Sequence, residues 1–230
     1  MKKKIITIAR SYGSGGRTLG IKLAKELGIP YYDRSVIRIA SDMSGINEVL
    51  FNEADEKVTG KWFFKGSKPY KGELLPPGHP DYTSRDNLFN IEADTIKKLA
   101  DQGPCIFIGR CADFVLQERE DVMKLFFYAP MENCIARAKE VHGEEEDELI
   151  KKINRIDKYR AEYYKYYTGG NYWTNPVNYD MTFNMDRVGE DKAVAMIKEY
   201  MKLKFGEDVV VNSKKEKQNL YTFADSMTIG

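Results

Sequence analysis

Lys4-Ile5-Ile6-Thr7-Ile8-Ala9 reads as a short buried strand, and it runs directly into Arg10-Ser11-Tyr12-Gly13-Ser14-Gly15-Gly16-Arg17-Thr18. An amphipathic stretch from Leu19 to Leu27 follows at once. Strand, glycine-rich turn and helix, in that order, aim several backbone N–H groups and the positive end of a helix at one point. The feature constrains the chain because it fixes both a buried strand and an open strand end. A phosphate cradle is therefore the expected product of the first thirty residues.

The phosphate-loop pattern is G-x-x-x-x-G-K-[ST]. Laying Gly16-Arg17-Thr18 on its last three positions puts Ser11 at the first glycine and Arg17 at the lysine. Gly13 and Gly15, flanking Ser14, supply the backbone freedom. Thr18 keeps the hydroxyl that would ligate Mg²⁺. Arginine at position 17 offers a planar fork where lysine would offer a compact point charge. The bland alternative is a glycine turn joining strand to helix and binding nothing.

Short apolar runs then alternate with helical patterns. Tyr31-Tyr32-Asp33 reads as a second strand, Val36 to Met43 as a helix, and Gly45 to Thr59 as another. Residues 60–82 carry four glycines and four prolines and read as a loop or flap. A helix resumes at Ser84 with Leu88, Ile91, Ile96 and Leu99 as its apolar positions, ending at Gly103-Pro104. Cys105 to Ile108, Val122 to Tyr128 and Met181 to Met185 supply three more strands. Met131 to Val141, Glu144 to Tyr167 and Glu190 to Leu203 supply helices, and an irregular tail is expected after residue 205. Five strands alternating with helices imply an α/β fold, a parallel sheet with helices on both faces. In such sheets ligands bind at the C-terminal strand ends.

The residues following each strand would then share one crevice: Arg10 to Thr18, Asp33-Arg34, Gly109-Arg110 with Asp113, and Asp186-Arg187. Arg110 and Arg137 could hold phosphoryl oxygens in two-pronged fashion. Asp33 or Asp113 could bind Mg²⁺ through water, or accept a proton or hydroxyl from an acceptor. On the helix from Glu144 to Tyr167 the apolar stripe Leu149, Ile153, Ile156, Tyr163, Tyr167 also contains Arg160, which implies either snorkelling or a specific anionic partner. One reading is a solvated helix with ion pairs to Asp157 and Glu162; the other is a lid that closes arginines over a transferring phosphate. The run Tyr159 to Trp173 could stack a base or pack the helix onto the body.

These stretches together resemble the cytidylate-kinase-like proteins among the P-loop nucleoside monophosphate kinases. The resemblance is carried by residues 5–17, by Tyr31-Tyr32-Asp33, by Ile108-Gly109-Arg110, by residues 156–164 and by Tyr179-Asp180-Met181. It implies a P-loop sheet ordered 2-3-1-4-5 within a single domain spanning residues 1–205, with an acceptor-binding helical or flap insertion near residues 44–90 and a lid near 143–175. It also implies that Gly13, Ser14, Gly15, Gly16, Arg17 and Thr18 hold the phosphates of ATP with Mg²⁺ at Thr18. Asp33, Arg110 and Asp113 would face the acceptor, and Arg155 and Arg160 would belong to the lid. The implied reaction is phosphoryl transfer to a nucleoside monophosphate, CMP or dCMP first, with Arg17, Arg155, Arg160 and Asp33 in the catalytic set.

Two other readings stand beside it: a kinase of another small acceptor, an alcohol or a coenzyme precursor, and a nucleotide-binding regulatory module without catalysis. Composition narrows the field. A net charge of +1 argues against a nucleic-acid binder held by bulk charge. Three scattered cysteines, Cys105, Cys111 and Cys134, make neither a disulfide framework nor a zinc site. No stretch approaches the roughly twenty apolar residues of a membrane span, so a cytoplasmic protein is expected. The aromatic triplet Trp62-Phe63-Phe64 could line the acceptor site or form a homodimer contact.

Overall fold

A computed structural model describes residues 4–56 and 69–206. Strand β1 (Ile5–Arg10) leads through the glycine loop into α1 (Gly16–Leu27). There follow β2 (Tyr31–Tyr32), α2 (Ser35–Ser44), α3 (Glu48–Glu56), α4 (Arg85–Gln102), β3 (Cys105–Ile108) and α5 (Ala112–Val115). The chain continues through β4 (Val122–Tyr128), α6 (Met131–His142), α7 (Glu146–Tyr167), β5 (Met181–Asn184), α8 (Met185–Val188) and α9 (Glu190–Phe205).

The five strands form one parallel sheet in the order β2-β3-β1-β4-β5, as the resemblance implied. β1 is central because it is apolar on both faces. Ile5 joins Phe89, Ile96, Phe107 and Phe126 in a core shared with α4, α5 and α7. Ile6 and Ile8 join Leu19, Leu23, Ile106, Phe127 and Ile197 under α1 and α9. Successive strand residues point to opposite faces, so one six-residue strand serves two cores through Ile5, Ile6 and Ile8. A third cluster, Ile37, Ala40, Ile46, Phe51, Leu88 and Ile91, packs α2 and α3 onto α4.

Several boundaries differ from the sequence reading. α1 begins at Gly16 rather than Leu19, because the end of the glycine loop forms the first helical turn. β5 stops at Asn184, whose side chain accepts the Asp186 N–H and starts α8. The described part of the 60–82 segment, from residue 69, is a loop without regular structure. It is tied to the body: Tyr70 N–H donates to Tyr167 O at 2.9 Å, and the Tyr70 ring meets Phe89 edge-on. Trp62-Phe63-Phe64 and the tail beyond residue 206 lie outside the described residues. Among the described residues no helix is long and apolar enough to cross a membrane.

Candidate functional site

The glycine loop is locked by packing on the side away from solvent. Gly13 has φ 75° and Gly15 φ 86°. A Cβ at Gly13 would lie 2.5 Å from the carbonyl oxygen of Cys134 on α6, so only glycine fits there. Ser14 is fully buried, and its Oγ donates to Ser11 O at 2.9 Å. The first helical bond of α1 runs from Leu19 N–H to Gly15 O at 3.0 Å. The N–H groups of Arg17 and Thr18 precede it and stand at the positive end of the helix.

Arg137 reaches across from α6. Its Nη1 donates to Ser14 O at 3.2 Å and Gly13 O at 3.4 Å, and its guanidinium lies over Gly15. Arg17 lies on the outside of α1, where Nε and Nη2 donate to Asp33 Oδ2 at 3.0 and 2.7 Å. Thr18 is exposed in the first turn. Among the described residues there is no group of three or more His, Cys, Asp or Glu side chains that could cage a metal. One hydroxyl at a helix start suits magnesium, which keeps waters and takes most of its remaining ligands from substrate phosphates.

Beside the loop, a cavity of about 510 Å³ opens between the C-terminal ends of β1 and β3 and the inner face of α7. Five arginines line it: Arg10, Arg34, Arg110, Arg155 and Arg160. Among the described residues, Asp113 is the one carboxylate in its wall, and Tyr12, Tyr159, Tyr163, Tyr164 and Trp173 supply the aromatic surface. Gly109, Arg110 and Cys111 all have left-handed backbones, with φ 85°, 60° and 52°. Two non-glycine residues in that region are a local strain of the kind found at functional sites.

Each arginine is held differently. Arg110 donates from Nε at 2.9 Å, and from Nη2, to a single oxygen of Glu92, which is 3% exposed. Arg160 Nη1 donates to Arg10 O at 2.9 Å and Asp157 Oδ1 at 3.0 Å. The same Asp157 oxygen accepts the Tyr12 N–H at 2.8 Å, which ties the glycine loop to α7. Burial pushes the Asp157 carboxyl up while Arg160 pulls it back. Arg10, Arg34 and Arg155 form no ion pair among the described residues. Asp113 accepts the Tyr164 O–H at 2.8 Å, and its burial raises its carboxyl above the usual range.

The cavity thus brings Arg110, Asp113, Arg155 and Arg160 together, with Arg17 and Asp33 paired alongside. Arg137 sits on the loop instead. Asp186 and Arg187 are outside the cavity wall, where Asp186 accepts from Asn133 Nδ2 at 2.7 Å. Arg110, which could hold phosphoryl oxygens, has Nε and Nη2 engaged by Glu92 while it lines the cavity. Tyr163, Tyr164, Tyr166 and Tyr167 of α7 are buried, with Tyr167 stacked on Phe89 at 3.7 Å between ring centres, while Tyr159, Tyr163 and Tyr164 also line the cavity. Sequence reasoning missed Glu92, although Leu88, Glu92 and Ile96 share a spacing of four that puts the carboxylate on the apolar stripe.

The Cytidylate kinase-like family matches over residues 5–187. No curated protein matches the chain. Among solved structures, an uncharacterized protein from Eubacterium ventriosum is 22% identical with a TM-score of 0.63, over 87% of this chain and 99% of that one. Shikimate kinase from Bacteroides thetaiotaomicron is 16% identical with a TM-score of 0.50, again over 87% and 99%. At these identities the two structures attest a shared fold.

Proposed function

The chain belongs to the cytidylate kinase-like family, and from that premise we propose that it transfers a phosphoryl group from ATP, with Mg²⁺, to a nucleoside monophosphate, CMP or dCMP first. One observation carries the reading: the glycine loop and the arginine cavity both begin at the C-terminal end of β1. A donor on the loop and an acceptor in the cavity would therefore meet at a single strand end.

In this reading Gly13 to Thr18 cradle the donor phosphates with backbone N–H groups, and Arg137 braces the loop from α6. Arg17 lies at the rim, where a donor phosphate could compete with Asp33 for its fork. Thr18 would hold Mg²⁺, which supplies charge neutralisation on the bound phosphates. An oxygen of the acceptor phosphate attacks the terminal phosphorus, the bond to the leaving diphosphate breaks, and no proton need move. Such a step asks for alignment and for cations around the three equatorial oxygens. Arg155 and Arg160 on α7 would close over it as a lid near residues 143–175, with the acceptor side completed by Asp33, Arg110, Asp113 and the segment near 44–90. Glu92 holds Arg110 in place, so Arg110 contributes mainly field and shape.

The test is ATP consumption with Mg²⁺ across CMP, dCMP, UMP, AMP, GMP and a no-acceptor control. Turnover with one monophosphate is expected and would name the base. Nucleotide binding without turnover would favour the regulatory-module reading. A second enzymatic reading is favoured by the Asp113–Tyr164 pair, which suits a hydroxyl, and by guanidinium forks, which suit carboxylates as well as phosphates. A small hydroxy acid would then be the acceptor, and the panel should include examples.

A further inference from the structure

Arg10, the last residue of β1, reaches both halves of the site. A Cβ on Gly16 of the glycine loop would come within 2.9 Å of Arg10 Cβ, so the stem of Arg10 runs directly beneath the loop. Its guanidinium rests against Gly109 at the end of β3, where any side chain would overlap Arg10 Nη1. Its carbonyl oxygen is gripped by Arg160. The residue is therefore held at its carbonyl and packed against Gly16 at its Cβ, and its head lies at the end of β3.

What Arg10 lacks is an ion-pair partner. Arg17 has Asp33, Arg110 has Glu92 and Arg160 has Asp157. Arg10 makes no ion pair among the described residues, and Arg160, Arg110 and Arg17 all add positive charge around it. Burial, reinforced by Arg160, pushes its guanidinium down to about 9, with Asp33 opposing. Arginine does not give up its proton in proteins, so the strain is relieved by an arriving anion. A partly buried charge without a partner is destabilising, and functional sites are where a fold retains such a cost.

We propose that Arg10 is the residue that grips the anionic group of the acceptor, at the point where the cavity meets the glycine loop. The assignment rests on the reading that a donor occupies that loop and an acceptor the cavity. It deepens that reading by making an anion a requirement of the acceptor, since a neutral acceptor would leave Arg10 unbalanced. It also moves the central cation from position 17, whose arginine is engaged at the rim, to the strand end.

The test compares wild type, Arg10→Gln, Arg10→Lys and Lys158→Gln. Lys158 is 76% exposed on α7 and controls for loss of one positive charge. The probe is inorganic phosphate, titrated with an excess of a non-hydrolysable ATP analogue and Mg²⁺ present to keep phosphate off the loop. In phosphate-free buffer Arg10→Gln is expected to melt about 2–5 °C above wild type, because an unbalanced charge is gone. Phosphate should raise the Tm of wild type and Lys158→Gln, and its Kd should rise about tenfold or more in Arg10→Gln, with Arg10→Lys between. Three results would each overturn the assignment: Arg10→Gln melting below wild type, equal phosphate affinity in the two, or no phosphate binding by wild type. The acceptor panel judges the underlying reading separately. Arg10-dependent phosphate binding without turnover of any monophosphate would keep the anion site and discard the monophosphate-kinase reading.

Discussion

Arg160 spends one nitrogen on two partners, the Arg10 carbonyl and the Asp157 carboxylate, and so leaves the rest of its fork toward the cavity. Replacing it with alanine removes charge from the cavity, where transfer is proposed, and loosens the carbonyl of Arg10. Arg160→Ala is expected to lower turnover by about 10³-fold, the scale of an arginine acting on a transferring phosphate. Stability should fall by about 1.5–3 kcal/mol, the worth of a hydrogen bond involving a charged group. Steady-state kinetics beside urea unfolding checks both, and unchanged turnover would remove α7 from the step. Arg160 was legible in the sequence because a charge at helical spacing from Ile156 interrupts an apolar stripe. Glu92 gives the same kind of signal within α4 but attracts no notice, because its partner Arg110 lies 18 residues on and beyond a strand. Arg10 was illegible as a separate residue. Its significance comes from Gly16, Gly109 and Arg160, which only the folded sheet brings around it.

The Glu92–Arg110 pair joins two elements, α4 and the left-handed turn after β3. Its exposure is 4% and 12% at the two side chains, so it lies in the regime where breaking a pair is costly. Glu92→Gln is expected to cost about 3 kcal/mol in chemical denaturation, and a cost below about 1 kcal/mol would show that water reaches Arg110. The strands were legible because a parallel sheet covered on both faces is built from continuous apolar runs. Helix starts were less so: the first turn of α1 is made by glycine, which carries no helical signal of its own. The role of α7 was half visible. Its apolar stripe is plain in the sequence, but its bond from Asp157 to the Tyr12 N–H couples it to the glycine loop across 145 residues, and no local pattern encodes that.

Across the whole molecule, two carboxyls, the buried Asp113 and the half-buried Asp157, have their charged forms disfavoured by desolvation. An unfolded chain releases those protons first, near the ordinary carboxylate value, while the folded chain still holds them. The folded state therefore binds more protons in that window, and stability falls as pH climbs from about 4 through the raised folded values, then levels. Urea unfolding from pH 4 to 7 should show this decline in wild type and a flatter profile in Asp113→Asn; parallel profiles would mean that Asp113 is solvated. The charge map has a different consequence for encounter. A chain with a net charge of only +1 concentrates five guanidinium groups in one cavity mouth, so its field is a short-range funnel rather than a long-range pull. A nucleotide would feel it only within about 8–10 Å at physiological salt. Capture would then be selective for anions already at the doorway, and the rest of the surface would stay indifferent to polyanions.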